Sequence, residues 1–412
     1  MKQATPSHDA YAALRLAVFR RYFAGNGILF LGLQMQKVAV GWEIYERTGS
    51  ALHLGYAGLV QFFPIVGFSL IAGHVTDTYN RKRVLIAAVA LTTIAAVGLA
   101  WNSATYGSVA LMYVFLFATG TARAFWLPAR ASFLPRLVPR ETFANAVSWN
   151  STSFELASIV GPAIGGLLIG FFQSALLVYL VNVIAATTFL FLILGIPYRH
   201  QVAEREPVSF RSLSAGIRYI HRTPVVLAAM TLDMFGVLLG GATALMPVFA
   251  KDILKVGALG LGWLLAAPSL GAVSMAMIQA HRPPTRRAGR KLLLAVAGFG
   301  TATLLFGISH NFWFSLAMLF FLGVFDNISV VIRSTLIQML TPDEMRGRVS
   351  AINSMFIGTS NELGGFESGV LAGVFGPVIS VVTGGVGAII VVCAVAWMWP
   401  QLRQYKELGG PC

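Results

Sequence analysis

Gly73-His74-Val75-Thr76-Asp77-Thr78-Tyr79-Asn80-Arg81-Lys82-Arg83 separates two apolar runs, one over 54–76 and one over 84–102. Each run is close to the ~20 residues that cross a bilayer as helix. Three consecutive bases resist entry into hydrocarbon and mark a short loop on the cytoplasmic side. Gly73 permits close helix approach, Asp77 sets an acid at a helix end, and Arg81, Lys82 and Arg83 hold the loop in water. The stretch reads as the turn between two membrane spans, and the rest of the chain can be read outward from it.

Further apolar runs lie at 22–46, 106–128, 143–172 and 174–197, then at 224–250, 258–281, 292–309, 312–335, 349–375 and 377–400. With the first two they make twelve expected spans. Of 412 residues 56% are hydrophobic and 11% charged, against roughly 25% charged in a soluble chain. Met1–Arg21 is polar and basic and does not read as a cleavable signal. The two cysteines, Cys393 and Cys412, have neither metal-ligand spacing nor the look of a disulfide. Residues 198–223 form a polar, basic linker whose segment from Phe210 reads as an amphipathic helix along the membrane surface.

Basic residues test the topology. Of 30 Lys and Arg, 25 fall in alternate gaps, with Arg47, Lys251 and Lys255 on the other side and Lys37 and Arg123 inside spans. Positive charge favours the cytoplasm, so both termini are expected there, which requires an even number of spans. The net charge of +14 is then topological and calls for no nucleic acid. An offset of 203 residues superposes Arg130–Pro139 on Arg333–Pro342, Glu141 on Glu344, Asn150-Ser151 on Asn353-Ser354 and Arg123 on Asp326. Two homologous halves are expected, 1–197 and 224–412, with a site between them near the bilayer midplane. Thr341-Pro342-Asp343-Glu344 reads as a capping box opening span 11, with Pro342 as its first helical residue.

Charged residues inside spans are costly, at least about 2.5–3.5 kcal/mol each at the centre. The candidates are Lys37, Arg123, Glu155, Asp233, Asp326, Glu362 and Glu367; Glu43 is expected at the far interface. Gln34, Lys37 and Gly41 share one helical face, as do Ser151, Glu155, Ser158 and Pro162. Asp233, Asp326, Glu155 and Glu362 are the carboxylates suited to exchanging protons. Gln34, Lys37, Arg123, Phe125, Trp126 and Asp326 are the candidates for touching a small molecule, and an Arg123–Asp326 pair is expected across the cavity. A fixed salt bridge and ordinary lipid-facing packing are the competing explanations for these charges and aromatics. In the fifth run Gly161, Pro162, Gly165 and Gly166 follow Ala157 in a small-residue stripe suited to close helix packing.

Residues 73–83 and 161–166 together resemble the major facilitator superfamily: the first stretch its loop 2–3 signature, the second the signature of its drug and proton antiporters. Thr78, Asn80 and Ala157 depart from those patterns. Pro128 to Pro139 with Ala144-Asn145-Ala146 looks most like the branch of enterobactin-type siderophore and macrolide exporters. The resemblance implies an all-α integral membrane protein with two pseudo-symmetric six-helix bundles, multi-pass in a bacterial inner membrane and monomeric. It implies an alternating-access carrier with spans 1, 4, 7 and 10 around the cavity. It also implies that Asp77 pairs with a cytoplasmic arginine, for which Arg130 is the candidate, and with the start of span 11, latching the outward-facing state. Its partners would be a small-molecule substrate, protons and the bilayer, with no cofactor or metal. An uptake symporter or facilitator, or a non-transporting scaffold or sensor, are the other readings. HExxH, GxSxG and GxxxxGK[ST] motifs are absent, which argues against hydrolytic and nucleotide-driven chemistry.

Overall fold

A computed structural model describes residues 9–198, 210–281 and 287–405, apart from the side chains of 70, 77, 210–214 and 242. The long helices are α1 (Ala17–Thr48), α2 (Ala51–Thr78), α3 (Arg81–Ala104), α4 (Val109–Phe133), α5 (Arg140–Phe172) and α6 (Leu176–Leu194). They continue as α7 (Pro224–Leu239), α8 (Gly257–His281), α9 (Ala288–Gly307), α10 (Phe312–Leu340), α11 (Asp343–Phe375) and α12 (Pro377–Met398). Among the described residues ten helices are long and apolar enough to cross a membrane. The other two, α1 and α11, have 32 and 33 residues and carry the charges of Lys37, Glu43, Glu362 and Glu367 within them.

Local chemistry sets the boundaries. The Asn80 side chain accepts from the backbone N–H groups of Lys82 and Arg83, Ser108 from Leu111, and Asn311 from Phe314, capping α3, α4 and α10. Gly49, with φ +59°, ends α1 in the left-handed conformation. The capping box expected at 341–344 does not form. Pro342, with ψ 150°, is itself the boundary residue; Thr341 is buried with its hydroxyl unpaired, and Asp343 bonds Arg346 at 2.7 Å. Pro139 holds the same position before α5, so the repeat survives although the capping chemistry differs.

The expected seventh span is not one helix. α7 stops at Gly240-Gly241, and the chain continues through a 3-10 turn (Ala242–Leu245), Met246–Val248 and a π-helical turn (Phe249–Ile253). The break is packed against its neighbours: a Cβ on Gly241 would lie 3.0 Å from the Gly364 backbone, and Ser368 Oγ donates to the Gly241 carbonyl at 3.4 Å. Phe210–Arg222 is helical as expected, and it rests on the start of α11, where a Cβ on Gly216 would meet Ile352 and Arg348.

Helix packing repeats. α1 packs on α5 and α6, α4 on α2 and α3, and α3 on α6; shifted by six helices, α7 packs on α11 and α12, α10 on α8 and α9, and α9 on α12. Two broad contacts join the two sets, α2 with α11 and α5 with α8, and smaller ones run from α1 to α8 and from α1 and α2 to the turns after α7.

Candidate functional site: charges between the two helix sets

Glycine fixes how closely the two sets meet. Gly161 and Gly165 face α1, where a Cβ would stand 2.6 Å from Gln34 Cβ and 3.2 Å from Met35 Cα. Gly166 faces α8, where it would stand 2.5 Å from the Ala258 carbonyl oxygen and 2.7 Å from Gly262 Cα. The carbonyl of Pro162 would be 2.6 Å from a Cβ on Gly262. The small-residue stripe thus serves two neighbours at once. On the opposite side Gly55 meets Gly369, and Gly58 lies against Glu362. Farther along the same helices, Gly67, Gly73, Gly347 and Gly358 face open space. α2 and α11 touch near the start of one and the end of the other, then diverge. The molecule is closed at the end bearing Gly49, Gln173 and Gly376, and open at the end bearing Arg81 to Arg83.

The closed end has polar locks that the sequence reading did not identify. The Tyr45 hydroxyl donates to the Asp252 carboxylate, joining α1 to the π-helical turn beyond the break. Lys251 Nζ lies 5.8 Å from the Tyr45 ring centroid and 6.0 Å from that of Trp42. Glu43 is not at an open interface: it is 5% exposed, with Oε1 2.5 Å from Arg47 Nη2, while Arg47 Nη1 donates to the Gly107 carbonyl at 2.6 Å. Nothing in the local sequence signals that Trp42 and Tyr45 meet Lys251 and Asp252, about 200 positions away.

Below the lock, Arg123 on α4 bridges to α11, with Nη1 3.2 Å from Glu362 Oε1. Arg123 was expected to meet Asp326, but the α2–α11 contact brings Glu362 to it instead. Arg123 is 52% exposed in its side chain and Glu362 21%, so water reaches the pair. Lys37 is within electrostatic reach of both, and two cations face one carboxylate. Gln34 Nε2 donates to Ser158 Oγ at 2.7 Å, tying α1 to α5. That bond orients the 151–155–158–162 face toward the gap between α1 and α8. Glu155 lies on that face, exposed, about 10 Å along the helix from Pro162. Phe125 is half-buried and tilts on Phe68 at 6.1 Å. Trp126 does not line the opening: it is 8% exposed and packs edge-on to Phe30 at 5.4 Å.

Asp233 and Asp326 line one narrow cavity with Ser329, between α7, α9 and α10. Asp233 is bonded to Arg333, and both are buried. Asp326, half-buried, makes no hydrogen bond or ion pair with the described residues. The offset of 203 residues gives this arrangement a counterpart. Arg130 corresponds to Arg333 and Phe30 to Asp233, and the Arg130 guanidinium lies 4.6 Å from the Phe30 ring centroid and 5.0 Å from that of Trp126. One arginine rests on a π-face where its counterpart has a carboxylate. Glu367 contacts its neighbour Ser368 at 3.5 Å.

In the 73–83 loop the bases have separate tasks. Lys82 Nζ donates to the carbonyls of Leu194 and Ile196 at 2.9 and 2.7 Å, capping the end of α6. Arg81 is buried, with Nε unpaired, and Arg83 is exposed. The expected close approach at Gly73 is not made, because α2 has diverged from α11 there. The Asp77 side chain lies outside those described. Among the described residues no group of three His, Cys, Asp or Glu is placed to hold a metal ion.

A family model described as transmembrane secretion effector matches residues 8–408. The chain is 26% identical over 393 residues to proteins named enterobactin exporter EntS in Shigella boydii serotype 18 and Escherichia coli strain 55989, covering 94% of this chain and 93% of theirs. Among solved structures it resembles a bacterial homologue of the human lysosomal transporter Spinster, inward-facing and unoccupied. That match has TM-score 0.74 and 14% identity, and covers 97% of this chain and 99% of the other. The nucleoside transporter NupG matches with TM-score 0.69 and 12% identity over 93% of this chain and 100% of its own. These likenesses concern the fold.

Proposed function

Because the chain belongs to the transmembrane secretion effector family of major facilitator transporters, we propose that it exports an amphipathic organic molecule in exchange for protons. The family and the relatives are transporters rather than enzymes. The substrate we propose is a siderophore-like metabolite or drug, in keeping with the name of the exporters to which the chain is similar. In this reading α1 and α11 also cross the membrane, and α7 crosses together with the turns after its break, giving twelve spans. They form halves 1–197 and 224–412 joined by 198–223. Both termini are cytoplasmic in a bacterial inner membrane, and the monomer is the working unit. The open end is then the cytoplasmic one, the state that receives cargo for export.

The observation that carries the coupling is Asp326. A carboxylate in a span is costly unless paired, and Asp326 has no partner among the described residues while its cavity neighbour Asp233 is held by Arg333. Asp326 is therefore the group free to gain and lose a proton through the cycle, with Asp233, Glu155 and Glu362 as the other carboxylates of the pathway. Cargo would meet Lys37, Gln34, Arg123 and Phe125 in the open vestibule. Trp126 would act behind this wall by supporting Arg130. The Gly73–Arg83 latch, with Asp77 and Arg130, would engage only when α2 and α11 converge at this end. Gly161, Pro162, Gly165 and Gly166 would serve as the pivot.

Purified protein in sealed liposomes with a trapped pH-sensitive dye tests the proposal. Catecholate siderophores, macrolides and cationic dyes would be added in turn. Substrate-dependent proton movement is expected in the wild type and should vanish in Asp326→Asn while substrate binding persists. Substrate crossing without proton movement would reject the coupling.

A further inference from the structure

We propose that the crevice between α8, α9 and α10 binds one anionic phospholipid with a hydroxylated headgroup, of the phosphatidylglycerol type. The crevice has a volume of about 320 Å³. Met275, Leu294, Phe325 and Ile328 form its apolar wall, and Gln279 and Lys291 its polar part. α8 and α9 both rest on α10 and make little contact with one another, so the crevice is a groove floored by α10. Leu294 at its rim is 70% exposed. In a membrane-embedded chain such a groove is filled by lipid.

The polar groups say which lipid. Gln279 stands two residues before α8 ends at His281, and Lys291 lies in the first turn of α9. Both are at the basic end of the molecule, at headgroup level. Gln279 is 7% exposed; its Nε2 donates to Asn327 Oδ1 at 3.0 Å, and its Oε1 has no partner among the described residues. A buried acceptor fixed in this way calls for a donor that the described residues do not supply. Lys291 is exposed and forms no ion pair with the described residues. Arg287 and Arg290, also exposed, add charge to the same surface, and the start of α9 favours an anion. The ligand must therefore combine an anion for Lys291, a hydroxyl donor for Gln279 Oε1 and an acyl chain for the groove. Phosphatidylglycerol supplies all three. Phosphatidylcholine has no donor, and the ammonium of phosphatidylethanolamine would face Lys291.

The site does not depend on what the protein carries, and neither does its test. The full chain in a neutral detergent would be mixed with phosphatidylglycerol, phosphatidylethanolamine and phosphatidylcholine of matched chains, and retained lipid counted by native mass spectrometry. Selective retention of one phosphatidylglycerol is expected, with Lys291→Gln reducing it about fivefold, the effect of one basic residue at an anionic surface. With phosphatidylmethanol of matched chains added as an anionic lipid that has no hydroxyl, Gln279→Leu should abolish the preference for phosphatidylglycerol over it. Leu294→Trp, at an exposed position that tolerates bulk, should block retention with both polar groups intact, and it decides the matter if either other variant fails to fold. Equal retention of all lipids by the wild type, or undiminished retention in Leu294→Trp, would overturn the proposal.

Discussion

Gly166→Ala should move the protein out of the conformation described here. A Cβ on residue 166 would lie 2.5 Å from the Ala258 carbonyl oxygen and 2.7 Å from Gly262 Cα. Both are backbone atoms and cannot swing aside as a side chain would. Ordinary contact begins near 3.4 Å, so α5 and α8 must part by about 0.9 Å at this level. Overpacking of this kind costs about 1–3 kcal/mol, and only while the two helices touch. The ratio of conformations should shift about 5–150-fold toward the one open at this end. Spin labels at Ser174→Cys and Lys255→Cys, with Cys393 and Cys412 replaced by Ser, report the closed end; Thr78→Cys and Asp343→Cys report the other. In Gly166→Ala the first distance should lengthen and the second shorten. Gly73→Ala, where a Cβ meets open space, should change neither. Unaltered distances in a folded Gly166→Ala protein would show that the α5–α8 contact does not hold this end shut.

Other perturbations test the remaining contacts. Asp233→Asn leaves Arg333 buried without its carboxylate and should cost about 3–5 kcal/mol, read as a lower unfolding temperature in detergent. Adding Arg333→Gln should recover most of it, and Arg130→Gln, losing its π-face contacts and its interaction with the Tyr22 hydroxyl, should cost about 0.5–2 kcal/mol. Tyr45→Phe removes a donor to the Asp252 carboxylate worth about 1.5–3 kcal/mol, so maleimide labelling of Gly41→Cys from the closed end should rise; unchanged labelling would remove Tyr45 from the lock. Glu362→Gln frees Arg123 from its acidic partner and should tighten binding of a carboxylate-bearing substrate, whereas Arg123→Gln should weaken it. Both should alter stability by no more than about 1 kcal/mol, since the pair is open to water.

The ends of the apolar runs were readable because hydrocarbon excludes charge and helices of fixed rise must span it: the run at 174–197 became Leu176–Leu194, and that at 377–400 became Pro377–Met398. The break in the seventh run was less legible. Gly240-Gly241 is a breaker, but glycine also continues membrane helices, as Gly165-Gly166 does in α5, and both pairs pack closely on a neighbouring backbone. Partner choice was least legible. Arg123 meets Glu362 and Tyr45 meets Asp252 because helices from different sets converge at one end, and no local spacing encodes how far they have converged. The latch expected at Gly73 is untested for the same reason: it was expected of an outward-facing state, in which α2 and α11 would meet at the other end, and here a Cβ on Gly73 meets open space.

What the sequence did carry across that distance was its repeat. At an offset of 203 residues Gly166 corresponds to Gly369 and Gly55 to Ala258. Gly166 packs on Ala258 and Gly369 on Gly55, so the two contacts that close one end are copies of each other. Closing surfaces made by duplication can open together, as a rocking motion of two halves requires. The same offset places Phe30 opposite Asp233, Gly240 opposite Lys37 and Asp326 opposite Arg123. Chemistry has diverged at these positions while packing has not. The first set keeps its cations, Lys37 near the vestibule and Arg130 on a π-face. The second has the carboxylates Asp233 and Asp326 and a broken helix. A symmetric hinge can serve either direction of movement, and under the proposed exchange the asymmetric charges would tie each direction to a different load.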